Sequence, residues 1–315
     1  MLKDAPTPAP PLLRRALVES RILAAIPAYN EGATIGSVVL KARQFASEVV
    51  VIDDGSTDDT ANTAALAGAH VIRHSTNMGY GAAIKTCLDH ARGSGADILV
   101  ILDGDGQHRA ELIPLVAAPV ANGEADVSIG SRFLNPHTSE AVPRYRKLGI
   151  GLITKLTNLG THHNRKVRDA QSGFRAYSRA AIEGVHPLET NMGASTEILW
   201  EADRKGLRIV EVPIDVDAAL TKPKRGPVEH GLSVIGSMIR YIETRHALLV
   251  FSLPGIVMLV SGLGLGMYVF DAYDRTGQPA LGLAILTAIM TVVGMLLTFT
   301  GLILHAVINA TKRNR

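Results

Sequence analysis

Cysteine is almost absent: Cys87 is the single one among 315 residues, so no disulfide can close within the chain and a disulfide framework is excluded. No G-x-x-x-x-G-K-[S/T] loop occurs either, which leaves out the P-loop phosphate cradle. A dinucleotide fingerprint is lacking too, because the glycines of Asn77-Met78-Gly79-Tyr80-Gly81 are followed by Ile84 where a third glycine or alanine is required. The opening residues, MLKDAPTPAPPLLRRALVES, hold no long apolar stretch and read as a Pro-rich extension rather than a signal peptide. His162-His163 has no cysteine or acidic pair at ligand spacing and reads as a solvated loop. Low complexity is excluded, since 47% of the residues are hydrophobic. The net charge is +3 and the isoelectric point about 9.0. That mild basic excess suits anionic partners without separating nucleic acid, lipid headgroups and phosphorylated substrates.

Mean hydropathy is nevertheless +0.18, and the apolar residues are concentrated at one end. Residues 247–270 and 280–308 carry no Asp, Glu, Lys or Arg, with His305 the one side chain that can take up charge near neutral pH. Each exceeds the ~20 residues needed to cross a bilayer. The loop between them is DAYDRTGQP, so the two spans form a hairpin and both chain ends share one side. Arg240 and Arg245 precede the first span, Lys312, Arg313 and Arg315 follow the second, and the loop offers Arg275 beside Asp271 and Asp274. The positive-inside rule then predicts a two-span membrane protein whose bulk and both termini are cytoplasmic.

From Arg21 onward the chain alternates short β-branched runs (RILAAIP, EVVVIDD, AHVIRH, DILVILD and DVSIGSR) with helical patterns. Ile35, Val38, Val39, Ala42 and Phe45 recur at helical spacing, as do Ala61, Ala64, Ala65 and Ala69 after an N-cap at Asp58 or Asp59. Such alternation predicts an α/β fold around a mostly parallel, doubly wound sheet. Ligands bind there beyond the carboxyl ends of the strands. Five polar segments fall at that edge: PAYNE, DDGSTDD, NMGYG, DGDGQH and GSRF.

Asp103 and Asp105 stand at alternate positions just past a strand, with Gly104 and Gly106 permitting a tight turn and Gln107 adding an oxygen. Two carboxylates in that place suit a hard divalent cation that also meets phosphate oxygens. Asp53 and Asp54 end the second strand, where an Asx turn and helix cap compete with hydrogen bonding to a base or ribose. Arg132 closes the fifth strand, placed either for a diphosphate or for a structural ion pair.

In this order, IPAYNE, VVVIDDGSTD, NMGYGAA, ILDGDGQH, IGSRF and DAQSGFRAY resemble family 2 of the inverting nucleotide-sugar glycosyltransferases. Within it the chain is similar to the dolichol-phosphate mannosyltransferase group, which makes polyprenyl-phosphate sugars. The resemblance covers roughly residues 21–241 and implies a GT-A fold. It implies nucleotide contacts at Pro27, Tyr29, Glu31, Ile52 and Asp54, with Asp103, Gly104, Asp105 and Arg132 completing the nucleotide-sugar site. Asp103, Asp105 and Gln107 become the positions for Mg²⁺ or Mn²⁺, and Arg132 the diphosphate arginine. Glu197 is a sugar-pocket candidate. Arg146 and Arg225 are candidates for the acceptor phosphate. Two departures stand out: Tyr80 occupies a place where the family often has lysine or arginine, and Arg225 is followed by Gly226, Pro227, Val228 and Glu229 rather than a G-x-S-K run. The Q-x-x-R-W motif of processive synthases is absent around the single tryptophan, Trp200.

Leu148, Leu152, Ile153, Leu156 and Leu159 share a helical face behind the basic cluster Arg144, Arg146 and Lys147, and Leu232, Ile235, Met238, Ile239 and Ile242 do so before the first span. Basic helices with an apolar face lie in membrane interfaces. The expected organisation is an extension over 1–20, a GT-A domain over 21–230, a juxtamembrane amphipathic helix over 231–246 and spans at 247–270 and 280–308. The expected reaction is metal-dependent inverting transfer from a GDP- or UDP-linked sugar to polyprenyl (dolichyl-type) phosphate. Membrane lipid is a partner and nucleic acid is not; self-association through the spans is left open. The alternatives are a transferase extending a lipid-linked glycan, a nucleotidyltransferase, and a non-catalytic scaffold.

Overall fold

The computed structural model describes residues 20–134, 150–151, 154, 157–158, 166–191, 193–215, 248–278 and 280–313. The chain divides into two compact units, one within 1–237 and one within 238–315.

The first unit is a seven-stranded sheet. Its strands are β1 (Ile22–Ala28), β2 (Glu48–Asp53), β3 (His70–Arg73), β4 (Ile98–Ile101), β5 (Val127–Ser131), β6 (Arg175–Ser178) and β7 (Ile209–Pro213), in the order β3-β2-β1-β4-β6-β5-β7. β1 runs parallel to β2 and β4, β2 to β3, and β5 to β7, while β6 is antiparallel to both neighbours. The five strands read from the sequence are all present. β6 and β7 were not read as strands, because RAYS follows a turn-rich segment and IVEVP is too short to show a period. With β2 on one side of β1 and β4 on the other, the sheet has its switch point between β1 and β4, where a ligand crevice opens.

Residues alternate between the faces of β1, as the two-residue strand period demands. Ile22, Ala24, Ile26 and Ala28 pack with Ile35, Val38, Val39 and Ala42 of α1 (Ile35–Ala42). Leu23 and Ala25 pack on the opposite face with Ala83, Ile84, Cys87, Leu88 and Ala91 of α3 (Tyr80–Ser94). Between them, α2 (Thr60–Leu66) departs from expectation: Ala64 is buried, Ala65 is exposed, and Ala69 lies beyond the helix end. Gly68, at φ +89°, terminates it after seven residues, too early for the alanine series to make one face. α4 (Ile113–Ala121), α5 (Arg179–Gly184) and α6 (Ala194–Arg204) also belong to this unit.

In the second unit, a π-turn at Leu248–Ser252 leads into α7 (Leu253–Thr276), and α8 (Leu281–Arg313) follows. The stretches Leu253–Thr276 and Leu281–Val307 are long and apolar enough to cross a membrane, with 11% and 6% of their most apolar windows buried. α7 continues past Phe270, the last residue of its apolar run, because nothing before Gly277 (φ +65°) breaks the helix. The helices approach closely at Gly294, where a Cβ would lie 2.6 Å from the Leu259 nitrogen.

Candidate functional site

The loops after β1 and β2 are laced together. The Asn30 amide donates to Ser56 Oγ at 2.9 Å and the Thr57 amide to Asn30 Oδ1 at 2.9 Å. The Glu31 amide donates to Thr60 Oγ1 at 2.8 Å and the Gly32 amide to Asp58 Oδ2 at 2.9 Å. Asn30 reaches this geometry at φ 54°, a region that asparagine tolerates better than most residues. Asp58 thus spends its carboxylate across the loops and on the Thr60 amide at 3.0 Å. Asp59 holds the N-cap place of α2 without a side-chain bond to the helix amides.

The paired aspartates at the end of β2 do different work. Asp53 closes an Asx turn by accepting the Ser56 amide at 3.0 Å, and its other oxygen lies 3.1 Å from Arg73 Nε. Asp54, 4% exposed, accepts the Met78 and Gly79 amides at 2.9 and 2.8 Å and meets His74 Nδ1 at 2.7 Å. It therefore holds the NMGYG loop. The glycines of that loop allow chain crossing: a Cβ at Gly81 would lie 2.2 Å from the Glu189 carbonyl oxygen. The first amides of α3 are taken as well, Gly81 and Ala82 donating to the Thr190 carbonyl at 2.8 and 3.2 Å. Both observations agree with the exclusion of a dinucleotide loop.

Pro27 and Ile52 lie opposite one another across β1 and β2 and are buried, forming a floor. Tyr29 is 40% exposed just above it, with Glu31 half-buried nearby.

Asp103 and Asp105 follow β4. Thr34 Oγ1 donates to the Gly104 carbonyl at 2.8 Å, fixing the turn between them, and the Gln107 amide donates to Asp105 Oδ1 at 2.9 Å. His108, buried against Phe174, lies 3.4 Å from Asp103 through Nε2, and its Nδ1 is buried without a partner among the described residues. Beneath them, Gly173 leaves the room that Asp103 fills: a Cβ there would come within 2.5 Å of the carboxylate. Burial disfavours the Asp103 anion, but His108, Arg132 and the Tyr80 hydroxyl outweigh it and hold the carboxyl below its ordinary value. Asp105 is pushed up to about 6, first by burial and then by the charge of Asp103. Two crowded carboxyls, one held ionised and the other resisting ionisation, are what a divalent cation relieves. With Gln107 in the same turn, the donor set of two carboxylates and a carboxamide fits a hard cation.

Arg132 is gripped by Asp169, which is fully buried. Nε and Nη2 donate to its two oxygens at 2.7 and 2.8 Å, and the Arg132 amide adds a bond at 3.2 Å. Glu197, also buried, accepts the Leu188 and Glu189 amides at 2.9 and 2.8 Å, so it organises the loop that Gly81 and Ala82 meet. Arg146 and Arg225, with most of both amphipathic stretches, lie outside the described residues.

Sequence reading overlooked Asp169, His108 and Tyr80 as participants. All three stand inside quoted segments; His108 lies only five residues from its partner Asp103, whereas Asp169 meets Arg132 across 37 residues of chain, a pairing that no local pattern signals.

A profile of glycosyl transferase family 2 matches residues 24–185. The UDP-N-acetylglucosamine–dolichyl-phosphate N-acetylglucosaminyltransferase of Methanococcus voltae is 33% identical over 224 residues, covering 63% of this chain and 86% of that protein. The polyprenol monophosphomannose synthase of Mycolicibacterium smegmatis is 31% identical over 210 residues, covering 62% and 76%. Among solved structures, the UDP complex of Mycobacterium tuberculosis glucosyl-3-phosphoglycerate synthase superposes with a TM-score of 0.59 at 24% identity, over 75% of this chain and 85% of that one. The fold is GT-A-like. The chain belongs to glycosyl transferase family 2 and is a glycosyltransferase that resembles the dolichol-phosphate mannosyltransferase group.

Proposed function

We propose that the protein transfers a sugar from a nucleotide sugar to polyprenyl phosphate at a membrane surface, with inversion at the anomeric carbon. The observation that carries this reading is the meeting of Asp103, Asp105 and Arg132 at the switch-point edge of a GT-A-like sheet, in a chain that also bears two span-length apolar helices. Both named relatives are lipid-phosphate glycosyltransferases by name and differ in the sugar named, so the shared motifs leave the sugar unassigned.

In the reaction, an oxygen of the lipid phosphate attacks the anomeric carbon, the new C–O bond forms, and the nucleoside diphosphate leaves with the electron pair of the old one. A phosphate monoester has a second pKa near 6, so at neutral pH it is nucleophilic without a general base. The protein's task is to bring two anions together and receive the leaving charge. Asp103, Asp105 and Gln107 would hold Mg²⁺ or Mn²⁺, which supplies charge neutralisation on the diphosphate when bound. Arg132 adds a fixed cation. Tyr29 and Glu31 face the base and ribose, with Pro27 and Ile52 as the floor and Asp54 acting through the loop it holds. Glu197 shapes the wall behind the sugar. Arg146 and Arg225 take the acceptor phosphate, and the sheet unit and both termini face the cytoplasm.

Incubating the purified protein with polyprenyl phosphate and labelled GDP- and UDP-sugars tests this. A radiolabelled lipid product with release of nucleoside diphosphate is expected; release of pyrophosphate, or transfer only to glycosylated lipid, refutes it. Arg146→Ala should slow transfer by ~10- to 100-fold with unchanged donor affinity.

A further inference from the structure

Arg132 presents an unusual arrangement for a cation meant to receive a diphosphate, since a carboxylate already grips it. Asp169 takes Nε and Nη2 in a fork at 2.7 and 2.8 Å and also accepts the Arg132 amide at 3.2 Å. Two parallel bonds in one plane fix the guanidinium's orientation as well as its position. Nη1 has no partner among the described residues, and Phe133 lies against the group with its ring centre 6.0 Å from Cζ. Arg132 and Asp103 are within electrostatic reach of each other, each favouring the other's charge.

Asp169 is itself held from a third element. Glu211, on the edge strand β7, accepts the Arg168 and Asp169 amides at 2.8 Å each. Buried ion pairs are poor sources of stability, because desolvation offsets most of the attraction. Three elements converge on Arg132 nonetheless: β5, the segment before β6, and β7.

We infer that Asp169 is the positioning residue of the donor site: it locks the Arg132 guanidinium in the plane that leaves Nη1 for the donor's diphosphate, and Glu211 anchors Asp169 for that purpose. This rests on the reading of the site as a nucleotide-sugar site. Asp169 touches neither donor nor acceptor; it acts through Arg132. It also offsets the arginine's charge, so donor recognition depends on the direction of the group and not on an excess of positive potential. An ammonium cannot be forked in this way.

The test is calorimetric titration of the full-length protein with UDP and GDP, together with donor and acceptor KM. Asp169→Asn keeps the shape and loses one arm of the fork; donor affinity should fall by ~10-fold or more, with donor KM raised and acceptor KM unmoved. Arg132→Lys should lose as much, and the double variant should be no worse than either single one, because both break one unit. Unchanged donor affinity in a folded Asp169→Asn, or losses that simply add in the double variant, overturns the inference. Should Asp169→Asn fail to fold, Glu211→Gln decides, with weaker donor binding at unchanged acceptor KM expected and parental binding counting against. If the parent protein binds neither nucleotide, the nucleotide-sugar reading fails and takes this inference with it; a parent that binds while the variants match it sinks the positioning role alone.

Discussion

Strand β1 places all seven residues from Ile22 to Ala28 inside the protein, whereas α7 leaves Val257, Val260, Leu263 and Met267 between 54% and 72% exposed. In the sheet unit, each apolar face is covered by a helix supplied by the same chain, since water is the alternative. On the hairpin, contact between α7 and α8 is made along Gly255, Gly262 and Gly294, and the large side chains point outward. Small residues inside and large ones outside is what packing demands where the surroundings are lipid, because there is no hydrophobic drive to bury a leucine that lipid already covers. Apolar side chains therefore form a core in one region and an outward-facing surface in the other.

That contrast can be broken at the site, the core and the pH response. The largest effect is expected where polar groups are buried for chemistry: Asp105→Asn should lower sugar transfer by roughly 10³-fold or more while the protein remains folded. Transfer rate and melting temperature measured together check this, and a folded, fully active variant removes Asp105 from the site. Next comes the apolar comparison. Ile26→Ala in the sheet core should cost about 2–5 kcal/mol of stability, while Leu263→Ala on α7 should change unfolding of the sheet unit by less than ~0.5 kcal/mol. Chemical denaturation in detergent reads both, and equal losses would show that the hairpin's exposed face is packed after all.

The smallest effect is in pH. The folded Asp105 carboxyl titrates at about 6, above the ~3.9 of an unfolded aspartate. Its contribution to stability is thus present in full below ~4 and is lost as pH rises through 6. With chelator present, Asp105→Asn should become more stable than the parent above pH 6, and the two should converge toward pH 4. Thermal melts across that range measure the difference, which a saturating divalent cation should reduce at pH 7 by stabilising the parent.

Legibility differed between the parts for physical reasons. The five strands, the switch-point edge and the two apolar runs could be read because each is a local pattern: period two, period 3.6, or a length set by the bilayer. β6 escaped because it is four residues long and owes its place to antiparallel pairing with β4 and β5. Ala61, Ala64, Ala65 and Ala69 recur at helical spacing, but Gly68 ends α2 before Ala69 can join it.

The sequence by itself determined which loops reach the site, because the strand–helix alternation runs β1 to β5 in one direction and puts the segments after those five strands at one edge, and it supplied the carboxylates and cations found there. What each group does was decided only by the tertiary structure. Asp53 and Asp54 are neighbours of one kind, yet one closes its own turn and the other holds the amides of Met78 and Gly79. Arg132 is gripped by a carboxylate 37 residues away, and Asp103 fits because Gly173, from another segment, has no side chain to obstruct it. Hydrogen bonds and charges act over a few ångströms of space, and the chain distances from Asp54, Arg132 and Asp103 to these partners carry no local pattern from which such proximity could be read.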